Sequence, residues 1–337
     1  RIKDAYLSVN ELYLTTLNER IHSNIFEISL NGQNYSSSID TNVSSMVHEY
    51  ALKGNGILNI KSFEKIIEID KDFISGGTRV KSILSYSPSK KDLSLFMTSN
   101  LEGMSINAIP PFSKQRKEKV NFTLNYQHYP KKDYPLEIMY DKHNIKTKFV
   151  EGHSTHYIKS PWIRGFVQIP YSRNDNQEIK TSLEYLDTNF FESKSMVDRV
   201  PRINLVSKHL KTENIILDNV QIILNPKEDY VEISKFNFTN PHIKMTSSGK
   251  WFIGEDESTY LIASINSDDF GLALKSLGYP KIVRGGKLTA KLDGNWTGAL
   301  NNFKFSSTKG KLTFKIEDGQ ITELDKGTQT IGQVLGL

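Results

Sequence analysis

Apolar and polar residues alternate strictly along much of this chain. Val120, Phe122, Leu124 and Tyr126 are separated by polar neighbours, and so are Leu136, Ile138 and Tyr140, then Val231 and Ile233. Further on the same pattern returns at Leu288, Ala290 and Leu292, at Phe303 and Phe305, and at Leu312, Phe314 and Ile316. A period of two places each apolar set on one side of a β-strand and the intervening Lys, Asn, Thr, Ser and Glu on the other. Helical spacing appears only in short pieces. Phe270, Ala273, Leu274 and Leu277 follow an i, i+3, i+4, i+7 pattern, with Asp268 or Asp269 to cap the start, Gly278 to end the helix and Pro280 to forbid continuation. Val43, Met46, Val47, Tyr50 and Ala51 fit a second helical face, and Ser62 is placed to cap a turn or two containing Phe63, Ile66 and Ile67.

Turn chemistry divides these stretches at Asn31-Gly32, Gly54-Asn55-Gly56, Gly76-Gly77, Asn225-Pro226, Gly294-Asn295 and Asp318-Gly319. A Gly-x-apolar triplet opens candidate strands at Gly56, Gly249, Gly286 and Gly310, at spacings too irregular for a propeller or solenoid. The reading is a meandering antiparallel sheet extended hairpin by hairpin, with no Pro-rich or Ser-rich linker to cut it. Alternation leaves three architectures open: a two-sheet sandwich, a closed barrel, or an open curved sheet whose apolar face holds a ligand. The first two bring apolar faces together. The third leaves an apolar channel larger than the few hundred Å² that a soluble monomer normally exposes.

Composition narrows the classes. The 337 residues include 43 Lys and Arg and 38 Asp and Glu, a net charge of +5, and both signs are intermixed. That reads as a solvated surface, without the clustered basic footprint of a nucleic-acid binder. The absence of cysteine excludes disulfides and thiolate metal sites and fits an oxidising compartment. The sequence starts at Arg1 without a charged-then-apolar leader, and no apolar run approaches the ~20 residues of a membrane span, so the expectation is a soluble chain or a piece of something larger.

Candidate chemistry is sparse. Arg284 to Thr289 superficially resembles a phosphate loop, but Lys281 stands where the first Gly belongs and Leu288 where Ser or Thr should follow the Lys. Glu151, His153 and His156 offer metal-ligand chemistry without a third strong ligand nearby, and read as an exposed polar turn. The stretch Lys114, Gln115, Arg116, Lys117, Glu118, Lys119 reads as a solvated loop, with contact to anionic lipid headgroups as its functional alternative. No nucleophile elbow, zincin signature or EF-hand loop occurs. The expectation is a protein without catalysis, metal or cofactor.

From Val200 to Leu337 the chain resembles the C-terminal region of the AsmA-like proteins of Gram-negative bacteria, in particular their YhdP branch. The resemblance rests on "RVPRINLVSKHL", "NPHIKMTSSGKW", "SDDFGLALKSLGYPKIVRGGKLTAKLDGNW" and "KGKLTFKIEDGQITELDKG". Upstream, "TSNLEGMSINAIPPFSK" and "SPWIRGFVQIPY" are similar to earlier blocks of that branch. After "LDKG" the family tends to place Arg and a run of Leu or Phe, whereas this chain has Thr328, Gln329, Thr330 and Ile331. The resemblance implies residues 1–197 as a β-groove segment and 198–337 as the AsmA-like C-terminal region continuing the same sheet. It implies an elongated, curved antiparallel sheet forming an open half-pipe with a few short helices. It also implies part of an inner-membrane-anchored envelope protein in the periplasm, carrying phospholipids to the outer membrane, with both membranes met by parts of the full-length protein outside this chain.

In that frame Val120, Phe122, Leu124, Leu288, Ala290, Leu292, Phe303, Phe305, Leu312, Phe314 and Ile316 are candidate floor residues of the groove. Lys287, Lys291, Lys311 and Lys315 fall on the opposite face, and the short helix, through Phe270, Leu274 and Leu277, is a candidate lid. Two other readings compete. One is a scaffold aiding outer-membrane protein assembly, with the sheet packed on itself; the other is a secreted all-β binding domain, in which the Asn-x-Ser/Thr triplets at Asn121, Asn237 and Asn295 would accept glycans.

Overall fold

The computed structural model describes residues 7–18, 20–44, 47–63, 73–108, 112–128, 133–171, 177–190, 200–212, 215–254, 256–277, 283–303 and 308–321. The chain divides into two units, residues 1–150 with 156–161, and residues 151–155 with 162–337. The first contains β1 (Leu7–Asn10), β2 (Leu14–Leu17), β3 (Arg20–Ser23), β4 (Phe26–Leu30), β5 (Gln33–Ser44), β6 (Val47–Asn59) and the one-turn helix α1 (Ile60–Phe63). After it come β7 (Ile74–Ser87), β8 (Asp92–Ser99), β9 (Met104–Ile106), β10 (Phe122–His128), β11 (Leu136–Tyr140) and β12 (His143–Val150). Antiparallel pairing runs β1, β4, β5, β6, β7, β8, β10, β11, β12. The short β3 also touches β5, and β9 pairs with the first residues of β7.

Strand β13 (His153–Lys159) carries residues of both units. The second unit continues with β14 (Ile163–Pro170), β15 (Glu178–Asp187), β16 (Arg202–Thr212), β17 (Ile215–Pro226), β18 (Val231–Asn240), β19 (Ile243–Phe252) and β20 (Ser258–Ser267). Helix α2 (Phe270–Ser276), β21 (Val283–Thr297) and β22 (Lys309–Ile321) complete it. From β16 to β22 every strand pairs antiparallel with the next. Among the described pairings the antiparallel expectation has one exception: β15 and β16 run parallel, joined by the longer connection that such a pair requires. Among the described residues, the rest is two short helices and two 3-10 turns, with no second sheet layer. The fold is therefore mainly β and open, neither a sandwich nor a closed barrel.

The turn at Asn31-Gly32 forms as read, linking β4 to β5 with positive φ at both residues (52° and 80°), the twist that a tight hairpin needs. Several other readings are corrected. Gly54-Asn55-Gly56, Gly76-Gly77, Gly294-Asn295 and Asp318-Gly319 lie inside β6, β7, β21 and β22 rather than between strands. Of the Gly-x-apolar triplets, Gly310 stands at a strand start, whereas Gly56, Gly249 and Gly286 are interior. The reason is close approach: a Cβ on Gly56 would stand 2.5 Å from the Tyr35 ring, and one on Gly249 would stand 2.0 Å from the Tyr260 carbonyl oxygen. Val43, Val47, Tyr50 and Ala51 belong to the β5–β6 hairpin, with Val43 opposite His48. Two alternations meeting across a turn mimic helical spacing. Met46, Ile66, Ile67, Gly278, Pro280 and Phe305 lie outside the described residues.

The larger core occupies the apolar face of the second unit, from Leu183 on β15 to Trp296 on β21, and includes Ala273 of α2. Ile233, Val220 and Ala263 are 0–1% exposed although only one sheet layer is present. Twist and coiling of a many-stranded sheet lean same-face side chains over one another, and this supplies the cover. Ile233→Ala should therefore destabilise the second unit by about 2–4 kcal/mol, and Phe314→Ala, at 41% exposed on the last strand, by under about 1 kcal/mol. All three tryptophans, Trp162, Trp251 and Trp296, lie in this unit, so urea unfolding followed by their fluorescence reads it separately.

Candidate functional site

Directly paired residues of an antiparallel ladder point to the same side, so register converts the alternating residues into rows that cross strands. In the second unit Leu292 stands between Ala263 of β20 and Leu312 of β22, Ala290 between Ile265 and Phe314, and Leu288 between Ser267 and Ile316. Lys287, Lys291, Lys311 and Lys315 occupy the other parity of their strands and are exposed, with Lys315 Nζ 2.6 Å from Glu317 Oε1. Five of the candidate floor residues thus share one face with Ala290. Exposure rises towards the final strand: Leu292 is 9% exposed, Ile316 37% and Phe314 41%.

Phe303 departs from the strand expected for it. It follows a 3-10 turn at Leu300–Asn302, and its ring meets Trp296 edge-on with centroids 5.1 Å apart. The Trp296 indole N–H donates to Ala299 O at 3.0 Å, which fixes the ring that Phe303 leans on.

Helix α2 lies against the start of β21. The Asp269 carboxylate caps it by accepting from the Leu272 N–H at 2.9 Å. A Cβ on Gly271 would stand 2.3 Å from Val283 O, so only glycine lets the helix approach this closely. Ala273 and Leu274 are buried, Leu277 packs on the core cluster, and Phe270 is half-buried. The periodicity located the helix and included Ala273, but the lid reading through Phe270, Leu274 and Leu277 left out Ala273, which is 0% exposed, and Gly271, which makes the close approach. Size misleads where contact is backbone to backbone.

The first unit carries an apolar face of its own, most of which the sequence did not announce. One row runs Ile39, Leu52, Leu84, Leu95, Tyr126, Leu136, and the next contains Met97, Leu124, Ile138 and Ile145. Leu84, Leu93 and Tyr86 on this side are 37–45% exposed. Glycines and serines on the same parity, such as Gly54 and Ser82, obscure the alternation in β5 to β8. Phe122 joins a smaller cluster with Ile60, Leu101, Met104 and Tyr140 at one end of the face. Val120 precedes β10, its N–H bonded to Asn100 O at 2.8 Å, and packs on the same cluster.

The basic stretch is not uniformly solvated. Lys114 is 3% exposed, and its ammonium donates to Met104 O at 2.9 Å and Gln115 O at 2.8 Å, while residues 115–119 are exposed. Burial holds the Lys114 pKa below the ordinary lysine range, with Glu118 and Glu102 pulling weakly upward. Arg284 to Thr289 lies within strand β21 and presents no loop to cradle a phosphate. His156 contacts Thr147 Oγ1 at 3.0 Å, and among the described residues no cluster of three or more metal-capable side chains occurs. His143 is 1% exposed, its ring 5.1 Å from Phe112 and 6.4 Å from Tyr140 between centroids.

No described helix is long and apolar enough to cross a membrane. Residues 139–337 match the family described as YhdP protein. No curated protein and no solved structure matches the chain. The match covers more than half of the sequence, and the chain belongs to the YhdP family, a family of envelope proteins.

Burial depresses the pKa of both His143 and His156. A neutral buried imidazole stabilises the folded state above its unfolded pKa of ~6.5, and that stability is lost as pH falls below it because the unfolded chain binds the proton more readily. The first unit should therefore lose urea resistance between pH 7.5 and 5.5, read by amide exchange of β10 to β12. In His156→Gln the decline should be shallower.

Proposed function

We propose that this member of the YhdP family is a non-catalytic conduit that carries phospholipids through the periplasm between inner and outer membrane, with acyl chains lying on the apolar sheet faces. The observation that carries the reading is the cross-strand continuity of those faces without a second layer over them. Bare passage of a two-tailed lipid with roughly 30 methylenes through water costs on the order of 20 kcal/mol, at ~0.8 kcal/mol per methylene. A continuous apolar floor offsets most of that, and a floor without converging polar groups avoids trapping the lipid.

The proposed contact surface is the exposed part of each face, Leu84 and Leu93 in the first unit and Phe314 and Ile316 in the second, together with the half-buried Leu95, Leu124, Ile138 and Leu312 beside them. Leu288, Ala290 and Leu292 form the foundation beneath that second edge, and α2 is the proposed lid over the adjoining core. The tight packing around Ile233 favours one alternative, a scaffold whose apolar face serves only folding. The two readings part on lipid content.

A photo-cross-linking amino acid at Leu84 or Ile316 should capture phospholipid in cells, and native mass spectrometry should find phospholipid carried by the purified chain. Phe314→Glu should leave circular dichroism unchanged and cut capture at Ile316 by roughly tenfold, because a partly solvated charge beside hydrocarbon costs about 1.4 kcal/mol. Leu292→Arg, in the packed cluster, should instead unfold the second unit. A folded Phe314→Glu protein with undiminished lipid capture would favour the scaffold.

A further inference from the structure

In the first unit a cavity of about 310 Å³ opens between α1, the start of β7 and the loop that carries Arg116. It is at the small end of ligand pockets. Ile60 and Ile74 supply apolar wall, both belonging to the cluster that ends the apolar face, whereas Lys61 and Arg116 supply cations. This is the place where hydrocarbon surface meets positive charge, the chemistry of an amphiphile with an anionic head.

The wall is built rather than incidental. Gly103 N–H donates to Arg116 O at 2.8 Å, and Ile106 and Lys114 exchange both backbone hydrogen bonds at 2.8–2.9 Å. The buried Lys114 ammonium pins the same loop through Met104 O and Gln115 O, and Glu118 Oε2 accepts from the Gln115 N–H at 2.8 Å. On the facing side β7 and its neighbour pinch together: a Cβ on Gly76 would stand 2.3 Å from Gly103 O, and one on Gly103 would stand 2.3 Å from Gly77 O. Arg116 is thus a cation on a nailed-down loop, set across from Lys61 on a short helix. Among the described residues, Glu102 is engaged with Lys119 at 3.4 Å and Glu118 with the loop backbone.

We propose that this cavity is a phosphate-headgroup site for anionic lipids, in which Arg116 and Lys61 hold the phosphate while the first acyl carbons rest on Ile60 and Ile74. The proposal rests on the conduit reading and deepens it, since it makes the first unit selective for charge. Guanidinium supplies paired donors that match phosphate oxygens, and the apolar wall distinguishes lipid-borne phosphate from the free ion.

The test loads the purified chain from mixed micelles containing equal fluorescent phosphatidylglycerol and phosphatidylcholine, with and without millimolar inorganic phosphate. The wild type should take phosphatidylglycerol in preference by about fivefold or more, Lys61→Gln/Arg116→Gln should load both lipids at near parity, and Arg116→Lys should fall between. Circular dichroism keeps folding in view, and both cations are exposed, so the variants should fold. A preference that survives the double substitution, or a wild type that loads both lipids equally, overturns the headgroup site and leaves the conduit standing. Loading of neither lipid overturns both. Loss of the preference on adding inorganic phosphate, with binding of phosphate to the lipid-free chain, would reassign the cavity to the free ion and overturn the lipid assignment.

Discussion

Everything in this protein depends on keeping the apolar parity of each strand in line with that of the next. In a one-layer sheet a slip of one residue turns a strand's apolar set into water, and there is no second sheet to absorb it. The chain defends that alignment where the strands are long. Leu292 meets Ala263 and Leu312, and Leu84 meets Leu52 and Leu95, so each row is fixed from both sides. Strand β18 contains an extra residue near Ser234, and this bulge lets Ile233 and Phe238, of opposite parity, both turn inward. Register, more than any single contact, makes a continuous face.

The two units use that face differently. In the second, side chains from β15 to β21 lean together until the centre is sealed, and α2 adds Ala273 to the seal. Towards β22 the face opens, through Leu312, Phe314 and Ile316. In the first unit the rows through Leu84 and Leu124 are covered only in part, and a compact cluster around Tyr140 gathers at one end. Sealing supplies stability that an uncovered sheet lacks, because burial of apolar area is the main favourable term in folding. An uncovered row gives that stability up in exchange for access. A surface on which lipid slides must give it up somewhere, and the sealed centre in the second unit compensates.

Sequence reading succeeded where one strand carries its whole signal. The alternations in β10, β11, β21 and β22 and the capped helix after Asp269 were all legible, because parity and capping are local properties. It failed where the deciding partner is distant in sequence. Gly56 looks like a turn until Tyr35 is seen beside it, and Gly249 until the Tyr260 carbonyl is in place. The parity switch within β18 is invisible to a period of two. Lys114 reads as one more solvated cation, since the carbonyls that hold it are supplied by the fold of its own loop. The apolar rows of the first unit were hidden because β5 to β8 mix Ser and Gly into the apolar parity, and only the pairing reveals that their few leucines align.

That dilution is common to both units, and what differs is where the packed clusters gather. The sealed row through Ile233 runs Leu224, Ile233, Gly249, Leu261, Gly294, and side chains from β15 to β21 gather into one cluster around it. In the first unit the core cluster gathers instead around Ile60, Leu101, Met104 and Tyr140, and Leu84, between Leu52 and Leu95, stays 38% exposed. What stays uncovered there is an apolar face, the surface that the proposed conduit uses. In the proposed headgroup site at the end of that face, Lys61 and Arg116 stand beside the Ile60 and Ile74 wall, so the phosphate meets its partners without charge on the floor. The rows of the first unit that were hardest to read are thus the ones whose side chains stay most accessible, because the clusters that close the face gather elsewhere.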